Sequence, residues 1–191
     1  MCNTRPARRG ELSMIERPQR KKMRLKEYDY SSNGAYFITI CVKNKQKLLG
    51  YIDVGRSTTN PGSPNSPIIL SQYGKTFIKT IEFINEKNNQ LTIDKYVIMP
   101  NHVHLIAMID DLATDVGIHT MGTGMPRRIN EIIPKLISSI KRFTNKQAGF
   151  DLWQTSYHDH IIRDEEDYQT HLRYIEENPI KWTDDEYFIR L

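Results

Sequence analysis

The sequence predicts an α+β fold, in which a ferredoxin-like βαββαβ unit forms an antiparallel sheet with helices on one face and is followed by one further C-terminal helix. Three observations support this fold class. The segments follow the order strand, helix, strand, strand, helix, strand, helix, which is the order of that unit with one helix appended. Two of the strands flank a Pro-Asn pair, which is typical of a hairpin. The length of 191 residues suits one domain, and no internal repeat is present.

The first strand and the first helix are predicted from two different periodicities. Residues 35–43 (AYFITICVK) alternate β-branched and aromatic side chains with others, as strands do. Over residues 70–88 the apolar side chains recur every three or four positions, which defines one face of an amphipathic helix. The residues on that face are Leu70, Tyr73, Phe77, Ile81 and Ile84.

A central hairpin follows, with strands predicted over residues 91–99 and 102–109. The second half of the unit begins with a helix near Ile132, where Pro134 is tolerated only in the first turn. A strand is predicted over residues 152–162. The last helix, over residues 163–178, opens with acidic residues and stops at Pro179.

Two segments carry no periodic pattern. Residues 53–67 are rich in Ser, Gly, Asn and Pro, and residues 110–128 contain three glycines. Both are predicted to be exposed loops rather than domain boundaries. The sequence assigns no role to either loop.

Positive charge is concentrated near the N-terminus. The chain has a net charge of +4, but residues 1–28 hold nine Lys and Arg against three Glu, a net charge of +6. An N-terminal basic arm, residues 1–27, is therefore predicted. Such an arm is typical of polyanion binding through neutralised phosphates, and the alternative interpretation is a solvated tail.

Cysteine content and hydropathy exclude several classes of protein. Only Cys2 and Cys41 are present, so neither a disulfide framework nor a cysteine metal cluster is expected. No stretch approaches the roughly 18 apolar residues of a membrane span, and no secretory signal is recognisable. We therefore expect a cytoplasmic protein without membrane contact.

His102 and His104 are the most informative pair in the sequence. They are separated by one residue in a predicted strand, so both side chains leave the same face with Cα atoms about 6.6 Å apart. Two imidazoles at this spacing can converge on one metal ion. The alternative is a pair of ordinary packed or surface histidines, but the apolar flanks place the pair in a central strand, where uncompensated polar groups are costly.

Tyr174 and Asn178 form a second candidate pair on the last predicted helix. They are four residues apart, so they share one face. Tyr174 can be a nucleophile or a packing residue, and Asn178 offers a neutral oxygen ligand. Two imidazoles and one amide oxygen make an open site suited to Mg²⁺ or Mn²⁺ rather than to structural zinc.

Four segments together resemble the REP-associated tyrosine transposases, which belong to the HUH single-strand endonucleases (His-hydrophobe-His). In chain order they are MRLKEYDYSSNGAYFITICV near the start, YVIMPNHVHLI (residues 96–106), LWQTSYHDHIIRDEEDY (residues 152–168) and YIEENPIKW (residues 174–182). The resemblance covers roughly residues 23–182. It implies a transposase catalytic domain over residues 28–182, with residues 183–191 as a C-terminal tail.

The resemblance also implies the chemistry. His102, His104 and Asn178 would bind Mg²⁺ or Mn²⁺, and Tyr174 would attack a phosphodiester of single-stranded, hairpin-bearing DNA to give a 5′-phosphotyrosine. A protein of this kind would associate with the nucleoid and act as a monomer or as a homodimer. In a homodimer the tyrosine helix can act in trans.

Further DNA contacts are predicted from basic and aromatic residues. Lys141 and Arg142 are candidates on a basic helix side, with simple solvation as the alternative, and Trp153 can stack on bases or fill the core. His160 and Arg163 can support the site or contact phosphate. In the N-terminal arm the candidates are Arg20, Lys21, Lys22 and Arg24.

Two other functions compete with DNA cleavage. A domesticated protein that binds DNA hairpins without cutting them would share the basic arm. A metal-dependent hydrolase of small phosphoesters can also use a His-x-His pair, although the sequence near the pair lacks the additional acidic ligands usual in such sites. The joint presence of His102, His104, Tyr174 and Asn178 favours the nicking and joining enzyme.

Overall fold

The computed structural model describes residues 34–53, 67–109 and 132–188. Its strands are β1 (Gly34–Cys41), β2 (Gly50–Ile52), β3 (Ile68–Leu70), β4 (Leu91–Ile98), β5 (His102–Ile109) and β6 (His158–Ile162); its α-helices are α1 (Gln72–Lys87), α2 (Ile132–Ala148) and α3 (Glu165–Glu177). The predicted arm with Arg20, Lys21, Lys22 and Arg24, the loop 110–128 and most of the loop 53–67 lie outside the described residues. Within the described ranges, no helix is both long and apolar enough to span a bilayer.

Four strands form the antiparallel sheet, in the order β4-β5-β1-β6. The predicted α+β fold with a ferredoxin-like βαββαβ order is confirmed. β1 occupies an interior position and pairs with β5 so that Thr39 lies opposite His104 and Cys41 lies opposite His102. Because β4 and β5 pair directly across Met99–Asn101, the predicted hairpin is also confirmed.

The two faces of the sheet carry different helices. Alternate residues of β1, beginning with Tyr36 and Ile38, are fully buried in the larger core with α1 and α2. The intervening residues face α3, whose Ile175 packs with Ala35 and Ile106 in a smaller cluster. The period of two in a strand therefore separates a packing face from a face that carries polar side chains.

Local capping sets the ends of the helices. The Ser71 hydroxyl accepts hydrogen bonds from the backbone N–H groups of Tyr73 and Gly74 at the start of α1. The Asp164 carboxylate accepts one from Asp167 N–H at the start of α3, whose first turn is acidic. Carboxylates at this position complement the helix dipole.

A short hairpin of β2 and β3 was not predicted. Leu70 belongs to β3 and not to a helix, because α1 begins only after the Ser71 cap. Each strand has only three residues, which is too short to show the alternation on which the prediction of strands depends.

The strand predicted over residues 152–162 is also shorter than expected, since β6 begins at His158. Residues 152–154 still pair with the end of β1 through a bridge between Trp153 and Val42, but the pairing is interrupted before β6. The Lys141 ammonium holds this segment by donating to the carbonyls of Gln154, Thr155 and Ser156 at 2.7, 3.1 and 3.2 Å. Its three donors are all engaged. Lys141 thus anchors this segment, and the described contacts do not support the predicted phosphate contact.

Trp153 fills the core, as one of its two interpretations predicted. It is buried against Phe77, and its indole N–H donates to Thr144 Oγ1 at 2.6 Å. The Thr144 hydroxyl in turn donates to the Ile140 carbonyl one turn earlier in α2.

Replacing Thr144 with Val should leave the buried indole N–H of Trp153 without an acceptor. An unsatisfied buried donor costs about 1–3 kcal/mol, so we expect urea unfolding to report that loss. Thr76→Val is the matched control, because Thr76 makes the same bond to a carbonyl one turn earlier but accepts from no indole. Equal losses for the two variants would contradict this role of Thr144.

Candidate metal and tyrosine site

The two histidines of β5 converge on one point. Both side chains are buried on the sheet face that carries α3, and their Nε2 atoms lie 2.8 Å apart. Adjacent ligands of a six-coordinate ion with bonds of about 2.1 Å are separated by about 3 Å. The spacing of the two nitrogens is therefore that of two ligands of one ion.

The opposite ring nitrogens are held by polar partners. His102 Nδ1 lies 2.8 Å from Asn101 Oδ1, and His104 Nδ1 lies 2.8 Å from Thr39 Oγ1. Asn101 is oriented by its amide group, which donates to the Tyr187 carbonyl at 2.8 Å. Its oxygen consequently accepts from His102 Nδ1–H, so the Nε2 of neutral His102 presents a lone pair.

Burial keeps both rings neutral. Burial, together with the nearby charge of Lys45, lowers the pKa of His102 to about 3. Burial likewise holds the pKa of His104 well below its usual value, with smaller contributions from His102 and His171. Neutral imidazoles are the forms that bind metal ions.

Asp185 adds a carboxylate that the sequence analysis missed. Its Oδ2 lies 3.8 Å from His102 Nε2, and its side chain is almost fully buried. It belongs to the segment predicted as a C-terminal tail, whose boundary at residue 182 stays a prediction. The acidic run at residues 184–186 was visible in the sequence, but nothing in it indicated proximity to histidines some eighty positions earlier.

Asn178 supplies the remaining oxygen. Its amide group donates to Asp185 Oδ2 at 2.8 Å, while its own Oδ1 is buried and has no hydrogen-bond partner among the described residues. A buried, unsatisfied amide oxygen is costly, and a cation would satisfy it. Two imidazoles, an amide oxygen and a carboxylate form a donor set that fits a divalent ion such as Mg²⁺ or Mn²⁺.

Tyr174 lies beside the histidines. Its ring meets the ring of His104 edge-on with centroids 5.0 Å apart and that of Phe37 at 5.8 Å. The residue is still 39% exposed, so a substrate can reach it. Burial, together with the charges of Asp185 and Glu186, raises the pKa of Tyr174 to about 12.

A cleft of about 540 Å³ connects these groups to solvent. His104, Tyr174 and Asn178 line it together, so the structure brings three of the four predicted central residues to one cavity; His102 lies buried behind His104. The lining of the cleft is mainly acidic: it contains Glu177, Asp184, Asp185 and Glu186, together with Lys181, which pairs with Glu177.

The predicted DNA contacts are distributed differently. Arg142 is exposed on α2, where its guanidinium lies 5.3 Å from the Phe143 ring centroid, and α2 covers the opposite face of the sheet. Arg163 is exposed at the start of α3. His160 pairs with Asp167 at 2.9 Å on the same face as the cleft. The structure thus does not bring Lys141 or Arg142 to the cleft.

Sequence comparison identifies relatives over most of the chain. An uncharacterised protein of Haemophilus influenzae is 34% identical over 179 residues, covering 89% of this chain and 93% of that protein. Proteins described as REP-associated tyrosine transposases are 24% identical in H. influenzae and 23% identical in Escherichia coli K12, with 80% of this chain and 74% and 70% of theirs covered. No protein-family model matches the chain.

Structural comparison agrees on the fold. The structure of a REP-associated tyrosine transposase bound to a REP hairpin superimposes with a TM-score of 0.51 and 19% identity, covering 78% of this chain and 68% of that one. The sequence relatives and the common fold lead to one conclusion: the chain is related to the REP-associated tyrosine transposases.

Proposed function

We propose that this protein nicks and rejoins single-stranded, hairpin-bearing DNA, with Tyr174 as the nucleophile and a divalent metal ion as cofactor. The observation that carries the proposal is the convergence of residues distant in sequence: the phenol of α3 meets His104 of β5 at one cleft, and His102 lies directly behind with its Nε2 2.8 Å from that of His104. The phenol is 39% exposed there, so a substrate phosphate can reach it.

His102, His104 and Asn178 are the proposed metal ligands, and Asp185 is a fourth. When bound, Mg²⁺ or Mn²⁺ supplies a Lewis acid for a non-bridging phosphate oxygen. The protein's part is to hold the ligands in place. Asn101 and Thr39 orient the two rings, and the hydrogen bond from Asn178 to Asp185 orients the oxygen ligands.

The proposed reaction exchanges one phosphodiester for another. Tyr174 Oη forms a bond to phosphorus and loses its proton, while the bond from phosphorus to the 3′ oxygen breaks and that oxygen leaves as a 3′-hydroxyl. The product is a 5′-phosphotyrosine. The number of phosphodiester bonds is conserved, so attack by a 3′-hydroxyl reverses the step without a nucleotide cofactor.

Access to the phenol supports this role for Tyr174. The edge contacts with Phe37 and His104 fix the ring while leaving 39% of the residue exposed at the cleft. The phenol is protonated at neutral pH, and burial, together with the charges of Asp185 and Glu186, raises its pKa and disfavours the phenolate. Positive charge brought next to Asp185 would remove that repulsion.

Hairpin DNA is proposed as the substrate because a relative of the same fold is described as bound to a REP hairpin. The N-terminal candidates Arg20, Lys21, Lys22 and Arg24 would then bind the backbone, together with His160 and the exposed Arg163. Nucleoid association and the choice between monomer and homodimer stay predictions.

Tyr174→Phe should abolish covalent capture of DNA, because the ring contacts remain and only the nucleophilic oxygen is lost. The measurement uses end-labelled hairpin DNA with Mn²⁺ or Mg²⁺, resolved on denaturing gels. Tyr51→Phe is the matched control, since Tyr51 is 60% exposed and lies away from the histidines. We expect it to form the adduct at the rate of the unsubstituted protein.

The outcomes separate the competing functions. An adduct that persists in Tyr174→Phe would exclude Tyr174 as the nucleophile. Tight hairpin binding that survives EDTA, with no adduct in either metal, would instead support the non-cleaving binding protein. Turnover of a small phosphoester by Tyr174→Phe would support the hydrolase.

Asp185→Asn should raise the metal concentration needed for half-maximal cleavage by tenfold or more, because it removes the anionic ligand beside His102. Asp184→Asn is the control, since Asp184 lines the same cleft but is not among the grouped ligand atoms. If the two variants need the same metal concentration for half-maximal cleavage, Asp185 is not a ligand and contributes only to the overall negative charge of the cleft. The measurement is a Mn²⁺ titration of adduct formation.

A further inference from the structure

A second group of ligating side chains lies on the same face of the sheet, outside the site described above. His160 projects from β6, and Asp167 and His171 project from α3. His160 Nε2 lies 2.9 and 3.1 Å from the two carboxylate oxygens of Asp167, and His171 Nδ1 lies 3.0 Å from Asp167 Oδ1. One ligand atom of each residue lies within 4.8 Å of the others.

We infer that His160, Asp167 and His171 form a second metal site, which binds a divalent transition-metal ion independently of the histidine pair of β5. The separations of 2.9 to 3.1 Å between nitrogens and carboxylate oxygens match adjacent ligand positions around a six-coordinate ion, which are about 3 Å apart. Little rearrangement is needed for binding. Binding would replace the contacts of His160 Nε2 and His171 Nδ1 with the Asp167 carboxylate, together with the bond between His171 Nδ1 and the Asp167 carbonyl, by bonds from the ring nitrogens to the ion.

The carboxylate is oriented in advance by its own surroundings. Asp167 Oδ2 accepts from the backbone N–H of Arg163 at 3.1 Å, and the Asp167 N–H is bound by the Asp164 cap. The two imidazoles stack against each other with centroids 4.6 Å apart and an interplanar angle of 24°. Two histidines converging on one held carboxylate form the supported, convergent arrangement of a metal site.

An ordinary ion pair accounts for this arrangement less well. The His160 side chain is 47% exposed, and exposed ion pairs contribute little to stability. A divalent ion would bind both rings and the carboxylate together.

The donor set indicates which ion would bind, and the location indicates that the ion would lie at the cleft. Two nitrogens and a carboxylate favour Mn²⁺, Co²⁺, Ni²⁺ or Zn²⁺ over Mg²⁺, and three protein ligands leave positions for water or a phosphate oxygen. His171 lines the cleft, and its ring lies 4.5 Å from that of Phe37. A cation here would add positive charge to a cleft whose rim is acidic.

The test is a Co²⁺ titration of the metal-free full chain by calorimetry, comparing His160→Gln with His158→Gln. His158 lies two residues earlier on the same strand and face, and it is exposed but outside the ligand group. We expect His158→Gln to bind as many ions as the unsubstituted protein, and His160→Gln to bind one fewer. Equal stoichiometry in the two variants would overturn the inference.

Asp167→Asn and His171→Gln provide the second measurement should His160→Gln fail to fold. Each should also lose one Co²⁺, with circular dichroism confirming the native helix content. If both folded variants bind as many Co²⁺ ions as the unsubstituted protein, the second site is refuted. The deciding quantity is a difference in stoichiometry, so it does not depend on whether Tyr174 forms an adduct or whether the first site binds Co²⁺.

Discussion

The pairing of β1 with β5 is the constraint on which the site depends. In this register Thr39 lies opposite His104 and Cys41 opposite His102, so the Thr39 hydroxyl can hold the His104 ring at 2.8 Å. A slip of one residue would turn both histidines toward the core formed with α1 and α2. The alternation of Tyr36, Ile38 and Ile40 into that core opposes such a slip, because these side chains would lose their burial. Hydrophobic packing on one face thereby sets the polar chemistry of the other.

Burial of two imidazoles is acceptable only because each is surrounded by partners. The side-chain oxygen of Asn101 accepts a hydrogen bond from the His102 ring, and its amide group donates to the Tyr187 carbonyl in the C-terminal segment. The same segment returns Asp185 to the histidines. The polar groups of the hairpin turn, the end of α3 and residues 185–187 thus form one connected network. What it leaves for a cation is the Asn178 oxygen, which has no hydrogen-bond partner among the described residues, and the two Nε2 atoms, whose only hydrogen-bond contact within this network is with each other.

Much of this arrangement follows from local pattern. The alternation in β1, the apolar face of α1 and the Pro-Asn turn are strong signals, and they led to the correct fold and to the common face of His102 and His104. The pair Tyr174 and Asn178 was predicted from helical spacing, and their approach to the histidines follows once α3 packs on that face. The position of Asp185 beside His102 and the anchoring role of Lys141 were not predictable, because each contact involves a segment without periodicity, residues 184–186 in one case and residues 154–156 in the other. The short strands β2 and β3 were not predicted for a related reason: three residues are too few to define a pattern.

The charge distribution links the two proposed metal sites to the substrate. Glu177, Asp184, Asp185 and Glu186 surround a cleft that would have to accept a polyanion, while the excess of Lys and Arg lies in residues 1–28. A backbone phosphate approaching Tyr174 would therefore meet repulsion from the protein's own carboxylates at short range, where salt screening is weak. A divalent ion at the proposed site of His102, His104 and Asp185 would offset that repulsion close to Tyr174, and one at His160, Asp167 and His171 would extend the positive potential along α3. The proposed metal would then admit the strand as well as activate it, so binding at the cleft and cleavage should respond together to the loss of the ion. Attachment through the basic arm should respond mainly to ionic strength.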